Sequence, residues 1–275
     1  MQQGLENDKD AVFKKYYTTI FPYNEIFRVL NINENKELAF GKDSGTFIRY
    51  ETFCNANDFY RRICQVIPYR IDVGSTFKNR PTKYDQNILV SRQLVFDIDL
   101  TDYDRKCCKE KKICAKCYDL IKCAIEVLSH ILKKQFGFDQ FGFVFSGRRG
   151  VHCWVFGEDD LDAQVRTNIF KYFDIVISRN FLESEYERIL QKYAGNTEKI
   201  EDLLKWFPKI DKQVIVQSTH LIKMPFSIHP ETMNVSVPLD PSNIKEFEEL
   251  PTVYSFLDGK ENIDEYVKIM NKWVE

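Results

Sequence analysis

Two apolar runs separated by a short glycine-flanked segment constrain the fold of this chain more than any other feature. The runs are FGFVF at 141–145 and VHCWVF at 151–156, and SGRRG at 146–150 separates them. Short runs rich in aromatic and β-branched residues, bounded by glycine, are typical of strands joined by a tight turn. The sequence therefore predicts a hairpin that carries two arginines at its turn.

The predicted turn has side chains that suit a phosphate ligand. Arg148 and Arg149 offer planar, multi-donor contacts to phosphate oxygens, and the flanking glycines let the backbone approach a ligand closely. His152 follows two residues after the turn, on the opposite strand face from Val151 and Cys153, and could reach the same phosphates. A solvated hairpin tip is the alternative interpretation, and the turn alone does not decide between the two.

The segment QLVFDIDL at 93–100 predicts a metal site. Its alternation indicates a strand in which Asp97 and Asp99 share one face, while Phe96 and Ile98 share the other. A strand rises about 3.3 Å per residue, so the two aspartate backbones lie roughly 7 Å apart and their side chains can converge on a divalent cation. Mg²⁺ or Mn²⁺ prefers such oxygen ligands. An exposed strand face that happens to carry two acids is the alternative for so short a motif.

Three later residues are further candidates. Asp211 directly precedes the strand-like run KQVIVQST at 212–219 and could complete a three-carboxylate metal site. Lys223 and His229 lie in a proline-bounded segment, where the lysine could act as a point charge on a phosphate and the histidine as a hydrogen-bond donor. A solvated lysine and a structural histidine are the ordinary alternatives, and spacing alone does not connect these residues with Asp97.

Four clustered cysteines out of eight predict a structural metal site. The chain has no apolar run long enough to span a bilayer, and its N-terminus lacks the apolar core of a secretory signal. We therefore expect an intracellular protein without a membrane partner, where disulfides are uncommon. The C-x-x-C half of the cluster has a standard zinc spacing, and four thiolates leave no open position for catalysis. The clustered residues, in a lysine-rich loop, are Cys107, Cys108, Cys114 and Cys117.

Length and periodicity predict the architecture. The 275 residues, 44% of them hydrophobic, suit one domain that carries a smaller insertion. We predict an α/β or α+β fold: a mixed-sheet core formed by 1–159 and 207–275, a zinc loop near 107–117, and a helical insertion at 160–206. The formal net charge of -2 excludes a globally basic nucleic-acid coat, so any such contact must use local positive charge.

Further helices and strands follow from the same patterns. Helical spacing marks the first stretch from residue 10 up to Pro22, and the segment 119–135. Additional strand character marks ELAF at 37–40, TFIRYETF at 46–53, YRIDVGSTF at 69–77 and NVSVPLD at 234–240.

In their joint occurrence and order, these segments resemble the small catalytic subunit of the archaeo-eukaryotic DNA primases. The resemblance extends from about Glu37 to Asp240, and the cysteine pattern and the TDYD extension are similar to the eukaryotic branch. The insertion after Phe156 is shorter than we would expect for animal or fungal relatives. The segments that carry the resemblance are VFDIDLTDYD, the CC…CxxC cluster, SGRRGVHCW, PKIDKQV and LIKMPFSIHPET.

The resemblance implies roles for the matching residues. The metal-binding catalytic carboxylates would be Asp97, Asp99 and Asp211. The residues that hold the triphosphate would be Ser146, Arg148, Arg149, His152, Lys223 and His229. Asp72 matches a position associated with the nucleotide sugar, while Glu37 and Arg49 match positions near the initiating nucleotide. Phe47 stands where the family has a tyrosine, and the four clustered cysteines would bind zinc.

The resemblance also implies an activity and partners. It implies synthesis of short RNA primers on single-stranded DNA by two-metal nucleotidyl transfer from ribonucleoside triphosphates, for replication in the nucleus. The implied protein partners are a primase large subunit and DNA polymerase alpha. Three alternatives stay open: a primase-like repair polymerase that uses deoxynucleotides, a non-catalytic zinc-bearing nucleic-acid-binding subunit, and a metal-dependent nuclease. The triphosphate-binding set argues against the nuclease.

Overall fold

The computed structural model describes residues 2–42, 46–109, 112–179, 184–195 and 197–275. These residues form helices and two sheets around one hydrophobic core. The predicted mixture of helix and sheet is therefore confirmed. Every strand pairing in the described part of the chain is antiparallel, which makes the fold α+β. No helix among these residues is long and apolar enough to cross a membrane.

Nine short strands build the two sheets of the described chain. They are β1 (Lys36–Gly41), β2 (Phe47–Glu51), β3 (Arg70–Phe77), β4 (Leu89–Ser91), β5 (Leu94–Asp99), β6 (Phe141–Phe145), β7 (Gly150–Val155), β8 (Ile222–Lys223) and β9 (Pro238–Leu239). The first sheet has the order β2-β1-β3-β4, with β8 also paired to β3, and the second has the order β5-β7-β6-β9.

The second sheet brings the two most informative sequence segments side by side. β6 and β7 form the predicted hairpin, and the predicted aspartate strand β5 pairs with β7. In this register Asp97 lies opposite His152, and Asp99 lies opposite Gly150. Both strands are apolar elsewhere because helices cover the sheet, and Phe96 and Trp154 are fully buried.

Ten α-helices surround the sheets in the described residues. They are α1 (Gln2–Thr19), α2 (Tyr23–Val29), α3 (Ala56–Val66), α4 (Ala115–Ile131), α5 (Ala163–Ser178), α6 (Ser184–Ala194), α7 (Ile200–Leu204), α8 (Lys212–Val216), α9 (Val253–Leu257) and α10 (Ile263–Asn271). The long helix predicted after the cysteines is present as α4, although it begins four residues earlier than the apolar spacing indicated, at Ala115.

The predicted insertion is helical where the structure describes it. It contains α5, α6 and α7, and residues 180–183 and 196 of the predicted range lie outside the described residues. Its first helix, α5, packs on the second sheet, since the ring centroid of Phe173 in α5 lies 5.8 Å from that of Phe96 in β5. The division into a core and an insertion stays a prediction.

One predicted strand is wrong. The run KQVIVQST forms the short helix α8, and Asp211 is its N-cap, not the start of a strand. The Asp211 carboxylate accepts a hydrogen bond from the backbone N–H of Gln213 at 2.7 Å, which favours a helical start. Val214 and Ile215 are buried, so tertiary packing overrides the strand propensity of the β-branched residues. The predicted strand NVSVPLD is shorter than expected, because regular pairing is limited to β9.

Candidate active site

The three predicted carboxylates lie at adjoining ends of β5 and α8. The backbone N–H of Asp211 donates to the carbonyl of Asp97 at 3.0 Å, which joins the first turn of α8 to the aspartate strand. Asp99 accepts a hydrogen bond from Nε of Arg149 at 2.8 Å. The structure therefore brings together Asp211 and the Asp97/Asp99 pair, which lie more than a hundred residues apart in the sequence.

Crowded negative charge distinguishes this group of carboxylates. The pKa of Asp97 is raised to about 7, mainly by burial and then by the charges of Asp99, Asp211 and Asp102. A partly buried carboxylate surrounded by others is stabilised by a cation among them. The donors are carboxylate oxygens, which are the ligands that Mg²⁺ and Mn²⁺ prefer. The residues present therefore fit a hard divalent cation.

Two glycines allow the turn between β6 and β7 to approach the aspartates. A Cβ on Gly150 would lie 2.6 Å from the carbonyl oxygen of Ile98, so only glycine lets β7 begin directly beside β5. Gly147 has a φ of +86°, a left-handed conformation that favours glycine. Ser146 closes the turn, because its hydroxyl accepts a hydrogen bond from the N–H of Gly150 at 3.0 Å.

The two arginines of the turn are both engaged with acids. Arg149 contacts Asp99 as described, and Arg148 forms an ion pair with Glu231 at 2.6 Å. Neither side chain is fully solvated, since Arg148 is 18% exposed and Arg149 is 20% exposed. The solvated hairpin tip considered from the sequence is therefore not what the structure contains.

His152 lies between the turn and the carboxylates as a neutral group. Its Nε2 is 3.6 Å from Oδ1 of Asp97, and its Nδ1 is buried without a hydrogen-bond partner. Burial, followed by the charges of Lys223 and Arg70, lowers the pKa of His152 to about 3. The imidazole is thus a hydrogen-bonding group at physiological pH and not a cation.

The segment that begins with β8 brings Lys223 to the same location. Its Nζ donates to the carbonyl oxygen of Ser146 at 3.0 Å, and it lies opposite Asp72 in the sheet. Burial and the charge of Arg70 lower its pKa to about 7. Part of the lysine population is therefore neutral at physiological pH, and a bound anion would draw it to the charged form.

His229 follows Lys223 at a tight turn of the same segment. Its Nδ1 accepts a hydrogen bond from the backbone N–H of Glu231 at 3.3 Å, and burial lowers its pKa to about 3. The neutral ring therefore carries its proton on Nε2 and can donate from that atom.

Two acid–arginine pairs, each with a buried carboxylate and a partly exposed arginine, adjoin the site in the first sheet. Asp72, 2% exposed, accepts a hydrogen bond from Nε of Arg70 at 2.5 Å, and burial raises the pKa of Asp72. Glu37, also 2% exposed, accepts from Nε and Nη2 of Arg49 at 2.6 and 3.1 Å. Phe47 has no hydroxyl to donate, and its ring lies 5.9 Å from the guanidinium of Arg70.

A cleft of about 290 Å³ collects most of the predicted residues. Asp211 and Asp72 border it through their contacts with Asp97, Arg70 and Lys223. The predicted residues that line the cleft are Asp97, Asp99, Ser146, Arg148, Arg149, His152, Lys223 and His229.

Sequence reasoning missed three residues of this site. Arg70 lines the cleft and lies on the same strand face as Asp72, two residues away, a signal that the alternation of β3 contained. His220 also lines the cleft, at the start of the segment that holds Lys223. Asp102 adds negative charge beside Asp97, and its position in the TDYD sequence was visible.

The clustered cysteines form a second candidate metal centre. The sulfur atoms of Cys107, Cys108, Cys114 and Cys117 all lie within 4.8 Å of one another. Among the described residues this is the one group of three or more such ligands so closely spaced, and the aspartate oxygens are spread more widely. Residues 110 and 111 of the predicted zinc loop lie outside the described residues. Four thiols at this spacing fit a tetrahedral metal ion.

The cleft therefore joins two opposite kinds of binding group. Carboxylates on β5 and α8 suit a divalent cation, while arginines, a lysine and neutral histidines from β7 and the 220–233 segment suit an anion. A metal-bound polyphosphate is the ligand class that uses both groups at once.

Comparison with known proteins identifies similar chains. The family model described as DNA primase small subunit matches residues 96–241, slightly more than half of the chain. The DNA primase small subunit of Saccharomyces cerevisiae is 28% identical, over 82% of this chain and 80% of the relative. That of Drosophila melanogaster is 35% identical, over 60% of this chain and 41% of the relative.

More distant similarities extend to an archaeal protein and a solved structure. The DNA primase small subunit PriS of Pyrobaculum islandicum is 25% identical, over 86% of this chain and 79% of the relative. The polymerase domain from Mycobacterium tuberculosis Ligase D in complex with DNA is 14% identical, with a TM-score of 0.48, over 94% of this chain and 92% of that one. The latter likeness is too distant to bear on function.

Proposed function

Because this chain belongs to the DNA primase small-subunit family, we propose that it is a primase that synthesises RNA primers on single-stranded DNA from ribonucleoside triphosphates. The observation that carries the proposal is the pairing of β5 with β7. It joins the carboxylate group to the arginine turn in one cleft. The reaction would be nucleotidyl transfer, in which a 3′-hydroxyl attacks the α-phosphate and pyrophosphate leaves.

The carboxylates would hold the divalent cations of the reaction. Asp97, Asp99 and Asp211 would be the ligands of Mg²⁺ or Mn²⁺, supported by their oxygen donors and their crowded charge. When bound, such ions supply activation of the attacking hydroxyl and neutralisation of charge on the phosphates. Asp211 would contribute from the first turn of α8, which its own side chain caps.

The opposite wall of the cleft would hold the triphosphate. Arg148 and Arg149 would exchange their contacts with Glu231 and Asp99 for the β- and γ-phosphates of the nucleotide. This exchange frees the Asp99 carboxylate at the moment the nucleotide arrives. The residues proposed to complete the phosphate site are Ser146, His152, Lys223 and His229.

The two acid–arginine pairs of the first sheet would recognise the nucleotides beside the phosphates. Asp72 is proposed to contact the sugar of the incoming nucleotide, and its hydrogen bond from Arg70 would orient the carboxylate for this contact. Glu37 and Arg49 are proposed to lie at the initiating nucleotide. The charge of Asp72 also acts on Arg49, which relates this pair to the proposed sugar contact.

The cysteine cluster would hold a structural zinc ion. Cys114 is the N-cap of α4 and Cys117 lies in its first turn, so an ion held here would anchor this helix to the loop that follows the aspartate strand. Four thiolate ligands leave no position for a substrate.

The remaining proposals rest on the family alone. A primase large subunit and DNA polymerase alpha are the proposed protein partners, and the nucleus is the proposed location. The proposed domain division is a core of 1–159 and 207–275 with the helical insertion 160–206. A repair polymerase would prefer deoxynucleotides, and a binding subunit would not need Asp97 or Asp99.

Primer synthesis on a single-stranded DNA template tests the proposed function. The zinc-loaded protein, with Mg²⁺ or Mn²⁺, should join ribonucleotides into short RNA, and Asp97→Asn/Asp99→Asn should lose this activity. Asp139→Asn, an exposed aspartate outside the cleft, is the matched control and should keep it. Product formation by the double variant, or a clear preference for deoxynucleotides, would contradict the proposal.

A further inference from the structure

Two buried arginines connect the helical segment to both elements that carry the carboxylates. Arg92 and Arg166 are each 4% exposed. Nη1 of Arg92 donates to the carbonyl oxygen of Val214 in α8 at 2.6 Å. Nη2 of Arg166, in α5, donates in turn to the carbonyl oxygen of Arg92. A chain of hydrogen bonds from guanidinium groups to backbone carbonyls therefore extends from α5, through Arg92 between β4 and β5, to α8.

The burial of these guanidiniums has an energetic cost. Their contacts are with backbone carbonyls, and Nη2 of Arg92 and Nη1 of Arg166 are buried without partners. Apolar residues of similar volume would fill the same space without that cost. We therefore infer that the arginines at these two positions act through their hydrogen-bond donors and not through the volume of their side chains.

The contacts of Arg92 hold α8 at the end opposite to Asp211. At the N-terminus, Asp211 caps the helix and its N–H donates to the Asp97 carbonyl. Near the C-terminus, the carbonyl of Val214 would lack an intrahelical partner, and Arg92 supplies both the hydrogen bond and a favourable charge. A five-residue helix has few internal bonds, so these end contacts help to fix where it lies, together with the burial of Val214 and Ile215.

We propose that Arg92 is a positioning residue for the group formed by Asp97, Asp99 and Asp211, and that Arg166 fixes Arg92 from α5. Arg92 lies just before the strand that carries two of the carboxylates, and its side chain reaches the helix that begins with the third. The inference rests on the proposed function, since it takes these aspartates to be ligands of the divalent cation.

Direct Mn²⁺ binding to the full, zinc-loaded chain tests this proposal without any activity measurement. Electron paramagnetic resonance of free Mn²⁺ in the absence of nucleotide gives the dissociation constant. Arg92→Met should weaken Mn²⁺ binding on the order of 10-fold, as loss of groups that orient metal ligands does. Arg92→Lys, which keeps a hydrogen-bond donor, should have a Mn²⁺ dissociation constant between those of Arg92→Met and the wild type.

A matched core variant separates positioning from general loss of stability. Ile125→Val removes one methylene from a fully buried residue of α4, a helix other than α5 and α8, and should lower the melting temperature without changing the Mn²⁺ dissociation constant. Wild-type affinity in Arg92→Met, or equal weakening in Ile125→Val, would overturn the proposal. If Arg92→Met does not fold, Arg92→Lys is the variant to measure, and a wild-type Mn²⁺ affinity in Arg92→Lys would likewise overturn the proposal.

Asp211→Asn distinguishes failure of this inference from failure of the proposed function. If Asp211→Asn weakens Mn²⁺ binding while Arg92→Met does not, only the positioning role of Arg92 is wrong. If Asp211→Asn leaves Mn²⁺ binding unchanged, the assignment of Asp211 to the metal site is wrong, and the role of Arg92 fails with it.

Discussion

Asp97 lies directly opposite His152 in the pairing of β5 with β7, with 3.6 Å between Oδ1 of the aspartate and Nε2 of the histidine. This register sets the carboxylates of one strand beside the side chains that we propose to bind phosphate, at and after the turn that leads into the next. A slip of one residue would turn Asp97 and Asp99 to the opposite face. The strand register, more than either motif alone, therefore determines whether the two binding groups meet.

The first prediction concerns the close approach of the two strands at Gly150. Gly150→Ala would press a Cβ against the backbone carbonyl of Ile98, so we expect a loss of about 1–3 kcal/mol in the free energy of unfolding. Displacement of Asp99 should lower primer synthesis by roughly 100-fold. Chemical denaturation and the primer assay measure the two effects.

Gly41→Ala is the control for this substitution. Gly41 also lies in a strand, but its added Cβ would have its nearest neighbours at 3.5 Å, an ordinary contact distance. It should retain activity. Full activity in Gly150→Ala would show that the register tolerates this displacement.

The second prediction concerns the pH dependence of nucleotide binding at Lys223. Its folded-state pKa is lowered from 10.5 to about 7, so the unfolded chain binds more protons between these values. The contribution of Lys223 to stability therefore increases as pH rises from about 7 to 10.5, while its ability to bind phosphate decreases. Nucleotide affinity should fall by up to about tenfold per pH unit above 7, with proton uptake on binding.

The measurement needs a background in which Asp97 does not titrate. The pKa of Asp97 is also about 7, and its ionisation would weaken phosphate binding in the same direction when no metal is bound. Calorimetric titration of nucleotide into Asp97→Asn protein at several pH values isolates the lysine. Asp97 also raises the pKa of Lys223, so its removal lowers that pKa further, while the other charges that act on Lys223, those of Arg70, Arg148 and Asp72, are retained. Adding Lys223→Met should remove the dependence of nucleotide affinity on pH. If affinity still falls as pH rises, the titrating group is not Lys223.

The third prediction concerns the cysteine cluster. Cys117→Ser should reduce the metal content from about one zinc ion per chain and lower the melting temperature, because the first turn of α4 loses its anchor. Metal analysis and thermal denaturation, with and without a chelator, measure both changes. Cys54→Ser, at an exposed position outside the cluster, is the control and should change neither. Unaltered zinc content in Cys117→Ser would exclude this residue as a ligand.

The fourth prediction separates initiation from extension at Glu37. Glu37→Gln removes the charge partner of Arg49, so the arginine should lose its fixed orientation at the proposed site of the initiating nucleotide. Formation of the first dinucleotide should decrease about tenfold, which corresponds to about 1.4 kcal/mol. Extension of a preformed primer should be nearly unchanged, and the ratio of the two rates is the measurement.

Glu51→Gln provides the comparison for Glu37→Gln. Glu51 pairs with Arg62 through a similar two-bond contact at 2.8 and 3.0 Å, but the charge of Asp72, which acts on Arg49, is not among the charges that act on Arg62. It should leave the ratio of initiation to extension as in the wild type. Equal losses of initiation and extension in Glu37→Gln would contradict a role limited to the first nucleotide.

Local pattern determined the elements that carry the site. The alternation of QLVFDIDL and the apolar runs around SGRRG predicted β5, β6 and β7, because short strands buried on both faces leave a clear signature. The spacing of the clustered cysteines likewise indicated the metal-ligand geometry that their sulfur atoms have in the structure. These features depend on residues close together in the chain.

Only the tertiary structure decided which distant residues meet and what pKa values their side chains have. KQVIVQST has strand-forming residues, yet its cap at Asp211 and its packing made it a helix that carries a carboxylate to Asp97. Arg70 became part of the cleft through the pairing of β3 with β8. Burial and neighbouring charges then shifted the pKa values of Asp97 and Lys223 toward 7. Such contacts and shifts arise between segments far apart in sequence, so no local pattern contains them.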